Sequence, residues 1–185
     1  TFLAPAVLEP RKGLDTAIRA FRKFVDTTSD CSSTLLIAGA APPAYEDYAN
    51  SLKQCSKDIG LEDRVLFLGH VEDMKSLYHR ANVVLMLSND GEALGRVGIE
   101  AQMMSCLLIG NDLGAVKEYL AHGSTGLVPS ENSPEEVAKL MEYAFQNWND
   151  TLDIRKRAFQ QAIDKFSIEK TSPILRSIIL GIKNT

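Results

Sequence analysis

Short apolar runs alternate with longer amphipathic stretches along most of the chain. Apolar runs fall at residues 1–8, 34–38, 65–68, 83–87, 107–109 and 126–128, and several are apolar throughout instead of alternating. Strands buried on both faces of a parallel sheet read this way. Between them the period lengthens. Leu14, Ala17, Ile18, Phe21 and Val25 repeat at helical spacing with charges between them, which predicts a helix over 14–25. Residues 45–59 follow Pro42-Pro43, a helix entrance, and 73–80 place Met74, Leu77 and Tyr78 on one side. Helices are predicted at 95–104 and 115–121, the second closed by His122-Gly123. Ser133-Pro134-Glu135-Glu136 supplies an N-cap, a first-position proline and acidic first-turn residues for a helix to Gln146. The tail after Asp150 reads as two helices parting near Ser172-Pro173.

Strand and helix thus alternate about six times, and right-handed crossovers turn that order into an α/β fold. The expectation is a Rossmann-like, doubly wound parallel sheet of about six strands, with helices on both faces. No repeat or linker divides the chain, so residues 1–185 read as one unit with a helical tail over 150–185. In such sheets ligands bind beyond the carboxyl ends of the strands, at a topological switch point. The loops after Leu8, Ala38, Leu68, Leu87 and Ile109 are therefore the places to look.

Composition narrows the function. The 185 residues are 45% hydrophobic, with 20 Lys and Arg against 24 Asp and Glu, a formal charge of −4. A nucleic-acid binder would lean basic, so no nucleic-acid partner is expected. No apolar run approaches the roughly 20 residues a membrane helix needs. Cys31, Cys55 and Cys106 are odd in number and far apart, which fits neither a disulfide framework nor a metal site and points to a reducing, cytoplasmic setting. Walker A, G-x-G-x-x-G and G-x-S-x-G motifs are all absent, which argues against ATPase, dinucleotide and serine-hydrolase chemistry.

One segment concentrates chemistry. After the run at 83–87 the chain reads Ser88-Asn89-Asp90-Gly91-Glu92, and Glu92 and Glu100 stand eight residues apart across a loop and a helix start. The first turn of that helix offers free N–H groups and a positive dipole end, a ready anion site. A carboxylate, a phosphate-sized N–H cluster and a second carboxylate suit a sugar, a diphosphate and a ribose.

Several segments carry a family resemblance. Glu92-Ala93-Leu94-Gly95-Arg96-Val97-Gly98-Ile99-Glu100-Ala101 resembles the E-x7-E signature of the retaining, group 1 (family 4) glycosyltransferases. Asp63-Arg64-Val65-Leu66-Phe67-Leu68-Gly69-His70-Val71 is similar to that family's D-R-V-x-F-L-G-x-V segment, and Lys12-Gly13-Leu14-Asp15 to its K-G-x-D turn. Gly110-Asn111-Asp112-Leu113-Gly114 and Gly123-Ser124-Thr125-Gly126-Leu127-Val128-Pro129 follow in the family's order.

The resemblance implies the C-terminal, donor-binding half of a two-domain GT-B enzyme. Its partners would be a UDP- or GDP-sugar and an N-terminal acceptor domain, or a partner subunit in its place. Transfer would proceed with retention and without a metal or other cofactor. Peripheral membrane contact would come through the missing half. It also implies roles. Glu92 would meet the donor sugar hydroxyls, and Lys12 the diphosphate as the leaving group gains charge. The backbone of Ala93, Leu94 and Gly95 would meet sugar or phosphate oxygens. Glu100 would take the ribose hydroxyls, and Gly69, His70 and Val71 would frame the base.

Two departures stand out. The family's Gly-Arg after the first strand aligns with Ala6-Val7, leaving Arg11 or Arg96 to supply the missing cation, and its proline-valine aligns with Leu107-Leu108. Two other readings remain open at this point: a transferase-like domain kept as an inactive binding or scaffolding module, and a sugar-nucleotide epimerase, against which the E-x7-E set argues.

Overall fold

The strands lie at Phe2–Pro5 (β1), Leu35–Ala38 (β2), Val65–Gly69 (β3), Val83–Met86 (β4) and Leu107–Gly110 (β5). The computed structural model describes residues 1–29 and 32–180. All neighbouring strands pair in parallel, in the order β3-β2-β1-β4-β5. The helices are Leu14–Thr28 (α1), Glu46–Asp58 (α2), Met74–Arg80 (α3), Arg96–Met103 (α4), Pro134–Gln146 (α5), Leu152–Phe166 (α6) and Ile168–Leu180 (α7).

Successive side chains of a strand point to opposite faces; both faces are buried in β1, β2, β4 and β5, whereas the edge strand β3 leaves Leu66 and Leu68 exposed. Phe2, Ala4, Leu35, Ile37, Leu85 and Ile109 pack with α1, α2 and α5. Leu3, Leu36, Val84, Met86 and Leu108 pack with Tyr78 of α3, Ile99 and Ala101 of α4, and Val116, Tyr119 and Leu120. That is why the runs of these four strands read as apolar without alternation. On the first face Phe21 and Phe24 stack at 5.9 Å, and Phe2 meets Phe24 edge-on at 5.1 Å. Burying a side chain of this size stabilises the fold by about 1.5–3 kcal/mol.

Three expectations are corrected. Among the described residues the sheet has five strands where about six were expected. Leu127 is buried but forms only a single bridge to Ile109, because Gly126 passes close to the Leu108 carbonyl and Pro129 ends the pairing. Residues 115–121 form only a 3-10 turn, Ala115–Glu118, because Tyr119 leaves helical geometry and it and Leu120 turn into the core. The tail helices part at Ser167, not at Ser172-Pro173. Ser167 takes an extended ψ of 155° and its carbonyl accepts the Thr171 N–H at 3.0 Å, while Pro173 stays inside α7. The substitution of Leu107-Leu108 for proline-valine gives a regular ladder: both are buried in β5, and the Leu107 N–H donates to the Asn82 carbonyl at 3.0 Å.

Cys55 and Cys106 are free thiols, the latter buried, whereas Cys31 lies outside the described residues. Burial pushes the Cys106 thiol up to about 11, so it stays protonated and unreactive. No helix among the described residues is long and apolar enough to cross a membrane.

Candidate functional site

The chain reverses its direction of travel across the sheet between β1 and β4. These two strands pair over only two residues, Phe2↔Val83 and Leu3↔Val84, and then separate. The gap is the switch-point crevice of a doubly wound sheet. It opens into a cleft of about 720 Å³ lined from both sides: Lys12 and Gly13 below β1, Gly39 after β2, His70 and Val71 after β3, and Ser88 with Glu92 to Arg96 after β4.

Lys12 sits at the end of a 3-10 turn, Pro10–Lys12, that Gly13 closes with φ of 64°. A Cβ on Gly13 would lie 2.1 Å from the Leu87 carbonyl oxygen, so only glycine lets this turn press against the end of β4. The contact brings Lys12 onto Glu92, Nζ to Oε1 at 2.6 Å, with both side chains mostly buried. The Ser88 hydroxyl donates to the same oxygen, and Arg11 Nη1 stands 3.7 Å away while its Nε pairs with Glu9 at 2.7 Å. Burial pushes the Glu92 carboxyl up, but the Lys12 and Ser88 hydrogen bonds and the charges of Lys12 and Arg11 outweigh it, and its pKa lies below the ordinary value of 4.5.

A carboxyl depressed in the fold adds stability above its unfolded pKa and loses it as pH falls through the folded one. Wild type should therefore exceed Glu92→Gln in stability at pH 7, and the gap should close below about pH 4.5, as the carboxyl protonates. Urea unfolding of both proteins at pH 7 and pH 3.5 measures this. A gap that widens at low pH would reverse the sign of the ion pair's contribution.

Asparagines brace this loop from three directions. Asn111 Nδ2 donates to the Ser88 carbonyl at 3.0 Å. Asn132 Nδ2 donates to the Leu87 carbonyl at 3.2 Å and to Asn89 Oδ1 at 2.7 Å. The Asn89 N–H donates to the Arg11 carbonyl at 2.7 Å, and its Nδ2 to the Pro10 carbonyl at 3.3 Å. The backbone of Glu92 is held too, its carbonyl accepting the Ala115 N–H at 3.0 Å.

The start of α4 is equally fixed. Gly95 takes φ of 67°, and the Tyr119 hydroxyl donates to its carbonyl at 2.7 Å. A Cβ on Gly95 or Gly98 would approach the Tyr119 hydroxyl to 2.5 and 2.6 Å, so these two glycines of the motif make room for that ring. Burial, with Glu92 nearby, raises the Tyr119 phenol well above its usual value, which keeps it a donor. The first N–H groups of a helix have no partner within it, and here they begin beside the cleft. One turn on, Glu100 lines the same cleft, accepting from Tyr78 OH at 2.9 Å and from Arg96 Nη2 at 3.1 Å.

A family model described as glycosyl transferases group 1 matches residues 1–161, most of the chain. The chain belongs to the group 1 glycosyl transferases. It is 28% identical over 159 residues to the N-acetyl-alpha-D-glucosaminyl L-malate synthase of Bacillus anthracis, covering 86% of this chain and 39% of that protein. It is 32% identical over 142 residues to a GDP-mannose-dependent phosphatidylinositol monomannoside mannosyltransferase of Mycobacterium tuberculosis, covering 71% of this chain and 34% of that protein. The chain thus spans little more than a third of these relatives. HepE of Anabaena, solved with UDP and glucose, shares the fold with a TM-score of 0.88 at 24% identity, over 97% of this chain and 48% of that one. The C-terminal domain of LpcC, a group 1 protein of Francisella tularensis, superposes with a TM-score of 0.81 at 21% identity, covering 90% of this chain and 86% of that domain.

Within this group 1 fold, the residues singled out by sequence fall as follows. Lys12, Glu92, Ala93, Leu94, Gly95, Arg96 and Glu100 share the cleft, with His70 and Val71 on its far edge. Gly69 lies behind that edge with φ of 68°, its carbonyl accepting the Gly39 N–H at 2.8 Å. Arg11 is not among the residues lining the cleft and pairs with Glu9, and the exposed Arg96 pairs with Glu100. Ala6 and Val7 line the cleft where the resemblance places Gly-Arg, and Val7 is exposed. The sequence reading missed Tyr78, Tyr119 and Asn132 as supports of the site. It grouped Tyr78 with Met74 and Leu77 on one side of a helix, but the polar partner of a buried tyrosine lies far along the chain. Among the described residues, no group of three or more His, Cys, Asp or Glu side chains gathers as a metal-ligand set.

Proposed function

We propose that this cleft binds the nucleoside diphosphate sugar donor of a glycosyl transfer. The chain is then the donor-binding portion of a longer enzyme whose acceptor site comes from an N-terminal domain or a partner subunit. One observation carries the reading: Lys12, Glu92, the first turn of α4 and Glu100 face a single cleft at the switch point. Supporting it are a relative named for its dependence on GDP-mannose and a structural neighbour solved with UDP and glucose.

In this reading the diphosphate lies between Lys12 and the start of α4. Lys12 now neutralises Glu92 at 2.6 Å. As the sugar–phosphate bond breaks, negative charge grows on the leaving diphosphate, and the ammonium stabilises that charge more than the ground state. Glu92 turns its depressed, ionised carboxylate to the sugar hydroxyls, Glu100 takes the ribose, and Gly69, His70 and Val71 frame the base. Retention, and transfer that needs no metal because Lys12 and the helix start supply the positive field, complete the proposal. Free thiols at Cys55 and Cys106 support a cytoplasmic setting.

Titration calorimetry with UDP- and GDP-sugars tests the donor role. Wild type should bind one series, and Glu100→Ala should weaken it by roughly ten- to a hundredfold, the worth of hydrogen bonds to a charged group. A folded protein that binds neither series at millimolar concentration contradicts the reading. The exposed Val7 in place of arginine favours a second reading, a module that holds the nucleotide without turnover. Release of nucleoside diphosphate from the donor by the full-length protein excludes that module.

A further inference from the structure

Glu100 is held by a group from outside its own helix. Tyr78 lies on α3, 22 residues earlier, and its hydroxyl donates to Glu100 Oε2 at 2.9 Å. The ring is 3% exposed and forms part of the cleft wall. Its helix is pinned at the start by Asp73, whose side chain accepts the Ser76 N–H at 3.1 Å, and the Tyr78 carbonyl accepts the Cys106 thiol at 3.2 Å. The other donor to Glu100, Arg96, is a solvated side chain, 81% exposed, on the same helix. An exposed pair of that kind fixes little, so the buried phenol sets where the carboxylate points. Burial first, and then the charge of Glu100, raise the Tyr78 phenol far above its usual value, so it remains a donor at working pH.

A carboxylate offers about four acceptor positions over its two oxygens. Tyr78 takes one on Oε2 and Arg96 one on Oε1. One position on each oxygen is left for a ligand on the cleft side, which matches the two hydroxyls of a vicinal diol. We propose that Tyr78 is a positioning residue that presents the Glu100 carboxylate to the 2′- and 3′-hydroxyls of the donor ribose, and so makes the cleft prefer ribonucleotides to 2′-deoxyribonucleotides. This rests on the donor reading above.

Binding of UDP, GDP and their 2′-deoxy forms to the full chain tests it by calorimetry. Wild type should favour the ribo form of the base it takes by roughly tenfold, and Tyr78→Phe should cut that preference to about two- or threefold, while its affinity for the 2′-deoxy form holds. In a Glu100→Ala background, Tyr78→Phe should change the preference no further. If Tyr78→Phe keeps the wild-type preference, or weakens ribo and deoxy forms alike, the positioning role is overturned and the donor reading stands. If wild type binds neither UDP nor GDP, both fall. Thermal unfolding of each variant shows that the comparison is made on folded protein. Should Tyr78→Phe not fold, Tyr78→Met decides: unchanged discrimination in that variant overturns the role, and its loss with the 2′-deoxy affinity held supports it.

Discussion

In the Lys12→Met variant, glycosyl transfer by the full-length protein falls by about a hundred- to a thousandfold, the usual cost of one donor aimed at developing charge. The loss should sit mainly in kcat, because the ammonium gains most when the diphosphate leaves. The substitution also leaves Glu92 mostly buried with only Ser88 and the more distant Arg11 for partners. Its carboxyl should therefore titrate higher than in wild type. Lys12→Arg keeps the charge and should restore part of the rate. Steady-state kinetics with saturating acceptor distinguish the outcomes. An unchanged kcat in Lys12→Met would remove the leaving-group role.

Gly13→Ala should be the most damaging small substitution at the site. The position has φ of 64°, and the added Cβ would lie 2.1 Å from the Leu87 carbonyl oxygen. That oxygen belongs to backbone at the end of a central strand and cannot swing aside. Strain and overpacking together should cost about 3–5 kcal/mol. Gly60 separates the two terms. It has φ of 68° with open space around it, so Gly60→Ala should cost only about 1–2 kcal/mol. Urea denaturation of both variants makes the comparison. Equal losses would show that backbone strain alone accounts for Gly13 and that the close approach to β4 matters little. Because Gly13 sets the turn carrying Lys12, nucleotide affinity should fall with Gly13→Ala and hold with Gly60→Ala.

The strands were legible because burial on both faces removes polar positions from runs such as Val83–Met86. Leu127 misled because a buried apolar residue beside a strand looks the same whether it forms one bridge or a ladder. In the tail, proline is a loud signal and serine a quiet one. Pro173 nevertheless sits within α7, and Ser167 makes the break. Both acids and Lys12 were legible one by one from their motifs. Their pairing was not, since Lys12 and Glu92 are 80 residues apart and meet only because the chain reverses between β1 and β4. The same holds for Tyr119, whose ring occupies the space that a Cβ at Gly95 or Gly98 would need.

A crystal structure of the chain with a UDP- or GDP-sugar tests the central claim most directly. The diphosphate should lie between Lys12 Nζ and the first turn of α4, with ribose hydroxyls about 2.6–3.2 Å from the Glu100 oxygens. A nucleotide seated outside this cleft, or one that leaves the start of α4 untouched, would contradict it.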